Sequence, residues 1–171
     1  FVAPDKNRDD LKRMENSNGQ VWTLQIIDDD VFCGHNSGAF RIVGSDRLEW
    51  LTPADIHGVW LFRKVDDSRM IAGTYNGLIL FEKENGHWVY RSRVAGFEES
   101  SRFLEWDGDG GLWISHGNKG LFKVFLSDDC SRVTRMLRYV DFFNRVGQGI
   151  TVGRIGNRVV FCTNQGVFYY E

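Results

Sequence analysis

The chain has 171 residues, 42% apolar and 14% aromatic, with 19 Gly and only 2 Pro. That is enough for one core-bearing domain, and no linker-like stretch divides it. Its 21 basic and 23 acidic side chains are scattered and leave a net charge of −2, which excludes the electrostatic footprint of a nucleic-acid binder. No signal peptide, transmembrane run or initiator Met is present, so the sequence reads as an excised piece of something larger, with any membrane contact made only through the parent chain.

In chain order, residues 1–19 are polar and charged and read as a connection, with one strand near Leu11 to Met14. An apolar segment at Val21-Trp22-Thr23-Leu24 follows. An acidic turn at Asp28-Asp29-Asp30 leads into a hairpin built on Phe32-Cys33-Gly34-His35 and Gly38, and then a further apolar run at Leu48-Trp50-Leu51. The same order recurs. Val59 to Phe62 precedes the hairpin Ile71-Ala72-Gly73-Thr74 to Gly77, with Trp88-Val89-Tyr90 after it. Phe103 to Trp106 precedes Trp113-Ile114-Ser115-His116 to Gly120, with Met136 to Val140 after it. Ile150-Thr151-Val152 precedes Val160-Phe161-Cys162-Thr163 to Gly166, where a third run is lacking. The small residue of each hairpin sits at 34, 73, 115 and 162, spacings of 39, 42 and 47. A four-strand repeat of about 40 residues is the signature of a β-propeller blade.

The expected fold is therefore all-β, with about four antiparallel four-stranded blades at approximately 20–52, 56–95, 100–143 and, incomplete, 148–171, forming part of a larger propeller. No sustained helical period is present, so helix should be scarce. A closed four-bladed ring would need the strand near Leu11 to Met14 to complete the last blade and seal the edge. The small-residue column predicts close approach of neighbouring backbones. Cys33 and Cys162 stand in repeat columns and read as small buried hydrophobes rather than disulfide partners.

Ligands of propellers meet the face formed by hairpin turns and blade-to-blade loops. His35, Tyr75, Asn118 and Asn164 are the candidate ligand-binding residues there, their ring and amide groups suited to sugar hydroxyls. Against this, Asn is an ordinary turn residue, and His35 and His116 share a column with Thr74 and Thr163, which suggests that all four cap a repeat interaction. Arg91, Arg93 and Arg102 make a basic patch in sequence that reads first as a solvated strand face. The Trp residues 22, 60, 88, 106 and 113 recur at strand positions and read as core. No catalytic, metal or cofactor constellation emerges: the four histidines lack zinc spacing, no Gly-x-Ser-x-Gly elbow exists, and Asp107-Gly108-Asp109-Gly110 has Asn118 where a calcium loop needs Glu.

The stretch Asp107-Gly108-Asp109-Gly110-Gly111-Leu112-Trp113-Ile114-Ser115-His116 up to Gly120-Leu121 resembles the repeat of two-component-regulator propellers, in which Asp and Gly lead to Leu-Trp-Ile-Gly-Thr and then Gly-Leu. Ile71-Ala72-Gly73-Thr74-Tyr75-Asn76-Gly77-Leu78 matches the second half of that pattern more closely. Ser115 and His116 depart from the family's Gly and Thr. The resemblance implies a non-catalytic, carbohydrate-responsive segment of the periplasmic sensor of a hybrid two-component system with a histidine kinase in the parent chain. Its implied partners are an oligosaccharide ligand, the remaining blades of that chain and a second copy in a homodimer. A lyase resembling streptogramin lyase, which would need a cluster such as His35, His116 and Glu105, and a protein-binding scaffold are the alternatives from other classes.

Overall fold

The computed structural model describes residues 12–171. Short apolar segments separated by Asn-Gly and Asp-rich turns bury area by pairing antiparallel, and here they form four sheets in chain order. The first holds β1 (Val21–Ile27), β2 (Asp30–His35), β3 (Gly38–Val43) and β4 (Arg47–Trp50); the second β5 (Leu61–Lys64), β6 (Arg69–Thr74), β7 (Gly77–Glu84) and β8 (His87–Arg93). The third holds β9 (Phe103–Trp106), β10 (Leu112–His116), β11 (Gly120–Leu126) and β12 (Val133–Arg138). The fourth has only β13 (Thr151–Ile155), β14 (Arg158–Thr163) and β15 (Gly166–Tyr169). These are four β-propeller blades, with one seven-residue helix, α1 (Val140–Val146), between the third and fourth. The apolar run that the sequence extends from Met136 to Val140 stops as a strand at Arg138, and Val140 opens the helix. The proposed strand near Leu11 to Met14 is not formed at 12–14, where the Met14 carbonyl instead accepts the Ser17 hydroxyl at 2.6 Å in a turn; Leu11 lies outside the described residues.

Blades stack face to face through three apolar clusters. Phe32, Ala39 and Ile27 of the first blade meet Phe62, Met70, Ala72, Ile79, Phe81 and Trp88 of the second. Ile71, Leu78 and Leu80 on the second blade's other face meet Leu104, Leu112, Ile114, Phe122 and Val124 of the third. Trp113 and Leu121 meet Val152, Val159 and Phe161 of the fourth, with α1 adding Val146. At each junction the small-residue column touches the loop that opens the next blade. A Cβ on Gly34 would stand 2.5 Å from the Val59 carbonyl, one on Gly73 would overlap the Ser101 carbonyl, and the Ser115 hydroxyl donates to the Ile150 carbonyl. The close approach predicted from sequence is present. Cys33 is buried as expected, whereas Cys162 is exposed because no blade follows it within the described residues; all three cysteines are free.

The innermost strands are tied by polar groups. Gln25 pairs with the Phe62 backbone, accepting its N–H at 2.8 Å, and Glu105 forms ion pairs with both Arg63 of the second blade at 3.3 Å and Arg154 of the fourth at 3.4 Å. The outward faces of the end blades stay open. Leu24 is 61% exposed although its counterpart Phe62, in the same column of the next blade, is 1% exposed.

Candidate functional site

The four hairpin turns fall at equivalent positions of successive blades, next to the starts of the inner strands: Val21 opposes His35, and Leu61 opposes Gly73. The predicted residues divide there. Tyr75 is half-buried, and Asn118 and Asn164 are exposed in their turns. His35 is wholly buried, its ring 5.6 Å from both Phe40 and Trp50. Its Nδ1 accepts the Ser37 N–H at 3.0 Å, and His116 Nδ1 accepts the N–H groups of Asn118 and Lys119 at 3.0 and 3.1 Å. Thr74 and Thr163 do the same work, their Oγ1 accepting the N–H groups of Asn76 and Gln165 at 3.1 and 3.0 Å. The column is thus a turn cap in which imidazole and hydroxyl are interchangeable acceptors. Accepting through Nδ1 requires an imidazole unprotonated there, and burial lowers the pKa of both rings in the same sense.

Around Tyr75 the structure assembles an aromatic platform. Trp22 and Trp60 have ring centroids 4.5 Å apart, Tyr75 lies 4.9 Å from Trp60, and the Arg102 guanidinium sits 5.1 Å from the Trp60 ring. Trp60 is oriented by its indole N–H, which donates to the Ser100 hydroxyl at 3.3 Å. Gly58 makes room for this arrangement: its φ is +68°, and a Cβ there would run into the Tyr75 ring. Trp22 and Trp60 are half-buried and belong to none of the three core clusters, unlike Trp88 and Trp113, which are buried as the sequence predicts. The sequence carried one usable signal: Trp22, Trp60 and Arg102 stand in one column, two residues before Leu24, Phe62 and Leu104.

The predicted basic patch also divides. Arg91 pairs with Glu82 at 3.1 Å and Arg93 with Asp55 at 3.2 Å, as solvated faces do, while Arg102 joins the platform. The histidines and Glu105 have separate partners. His35 is among aromatic rings, His116 faces Glu99 at 3.8 Å, and Glu105 is engaged by two arginines. No group of three or more metal-ligating side chains occurs among the described residues, nor does any helix long and apolar enough to cross a membrane.

A recess lies between the third and fourth blades. It is a cavity of about 190 Å³ lined by Trp113, Tyr139, Phe142, Phe168 and Tyr170. Beside it the Lys123 side chain, 3% exposed, bridges Asp107 and Asp109 at 2.6 and 2.7 Å and lies 4.9 Å from the Trp113 ring.

Architecture and turn chemistry together define a β-propeller segment. Solved structures similar to it include two of the extracellular domain of BT4673 from B. thetaiotaomicron, described as a one component system in one and a hybrid two component system in the other. They are 17 and 18% identical, both with a TM-score of 0.68 over 90% of this chain and 20% of that chain. The WD40 propeller domain of Doa1 gives 0.61 at 12% identity, over 89% of this chain and 50% of that one. Virginiamycin B lyase from Staphylococcus aureus gives 0.56 at 15%, over 92% and 57%. No family model and no curated protein matches the chain. The structural likeness establishes the propeller fold.

Proposed function

We propose that this chain is a non-catalytic, ligand-sensing propeller segment of a periplasmic two-component sensor, with an oligosaccharide as its ligand. The observation that carries the reading is the platform of Trp22, Trp60 and Tyr75, three half-buried rings gathered where hairpin turns meet inner-strand starts. A sugar ring presents an apolar C–H face that stacks on such rings, while its hydroxyls find polar groups of the neighbouring turns. The extracellular sensor domains that share the fold support a sensing role and an extracytoplasmic location. Asn118 and Asn164 stand in the equivalent turns of the third and fourth blades, where further saccharide units would reach them. Occupancy is transmitted by altered packing between rigid blades, and further blades of the parent chain cover the open end faces.

Titration of the full chain with a panel of neutral oligosaccharides, read by tryptophan fluorescence and calorimetry, tests this. Binding should quench the emission, and Trp60→Ala should weaken it about tenfold or more, the loss of one good stacking contact. Binding that Trp60→Ala leaves unchanged would remove the platform from the site.

A further inference from the structure

We propose that the platform selects an acidic saccharide, one whose carboxylate or sulfate is held by Arg102; this rests on the ligand-binding reading above. Trp22, Trp60 and Arg102 are equivalents in three successive blades, so the third blade substitutes a cation for the ring that its predecessors present. The guanidinium lies 5.1 Å from the Trp60 ring and 5.4 Å from that of Phe103, and the residue is exposed.

Among the described residues Arg102 makes no ion pair and no side-chain hydrogen bond, whereas Arg63, Arg91, Arg93 and Arg154 each meet a carboxylate. The acidic group three residues before it does not serve it: Glu99 is taken by Lys119 at 2.6 Å, with His116 at 3.8 Å. A guanidinium held against aromatic rings keeps its in-plane N–H fork free, and that fork matches the two oxygens of a carboxylate or sulfate. A sugar stacked on Trp22, Trp60 or Tyr75 would place a substituent beside that fork. Nucleic acid is disfavoured as the source of the anion, because the molecule carries a net charge of −2 without a basic stripe.

The test uses two matched probe pairs on the full chain: oligogalacturonate against its methyl ester, and a sulfated galactan oligosaccharide against its desulfated form. At least one acidic member should bind about tenfold tighter than its uncharged partner, an advantage that shrinks as salt rises. Arg102→Gln should erase that advantage, bringing the acidic member's affinity down to that of its uncharged partner measured on the same variant, and Arg102→Lys should restore part of it. No acidic advantage in either pair, or an advantage that Arg102→Gln leaves intact, overturns the proposal. Trp60-dependent binding of neutral sugars alone would retain the sensing site and sink only its acidic selectivity. Absence of binding by every probe and by the neutral panel would sink both.

Discussion

Lys123 shows how a single residue binds local chemistry to fold. Burial disfavours its ammonium and also opposes ionisation of its partners, yet the pKa of Lys123 is raised and those of Asp107 and Asp109 are lowered, because close hydrogen bonds and opposite charge outweigh desolvation. Asp107 also accepts the Trp113 indole N–H at 2.9 Å, so the β9–β10 turn, a buried Trp and the cation form one unit. Lys123→Met keeps the apolar stem and removes the charge, leaving two carboxylates facing each other. We expect a loss of about 2 kcal/mol at pH 7, moderated because Asp109 is partly solvated. The lowered carboxyls contribute stability that is fully present above the unfolded carboxylate range and is lost as pH falls through their folded values. Urea denaturation should therefore show the gap between wild type and variant widest near neutrality and closing below about pH 4. A gap independent of pH would reduce Lys123 to a packing residue.

Elements of this chain were legible where turn chemistry is local. The Thr or His followed by Asn and Gly marks every inner hairpin, and the small residues Gly34, Gly73 and Ser115 announced contacts that lie a whole blade away in sequence. Gly73→Ala should accordingly lower stability by about 2 kcal/mol, since the new methyl meets the fixed Ser101 carbonyl rather than a mobile side chain. Gly153→Ala, with open space around it and no positive φ, should fall within about 0.5 kcal/mol of wild type. Equal thermal shifts for the two would deny the column its role. What the sequence concealed was orientation. The register of β1 shifts between Val21 and Thr23, so Trp22 sits at an irregularity that turns it from the core, and Trp60 lies just before β5 begins. A Trp in a strand-like segment looks the same whether it faces a neighbouring blade or the side of the hairpin turns. His35 stands at a turn, where a ligand contact and a cap are both open from sequence; the structure shows the cap, with the ring buried between Phe40 and Trp50.

Across the whole molecule, the blades repeat one design under different cover. Phe62 and Leu24 occupy one column, yet only Phe62 has a blade in front of it, whose Phe32 ring lies 5.6 Å away, with Phe81 of its own blade at 6.1 Å. Phe62→Ala should cost about 3 to 5 kcal/mol in chemical denaturation. Leu24→Ala should cost about 0.5 kcal/mol or less in this chain, and more once a preceding blade is added. If both variants lose the same stability, the column does not have the same cover in solution as in the structure. The apolar character of Leu24 and Ile26 was visible in the sequence; their exposure was not, because exposure depends on a neighbour rather than on the residue itself.

In a stack of repeats each unit ordinarily senses only the two beside it, and its energy is a sum of adjacent terms. Glu105 makes both of those adjacent contacts through a single side chain. Because one carboxylate holds Arg63 from the blade before and Arg154 from the blade after, a displacement of the second blade changes the field felt by the fourth. The arc thus carries an electrostatic strut beside its apolar junctions, Arg63, Glu105 and Arg154 joining three successive blades through one shared carboxylate.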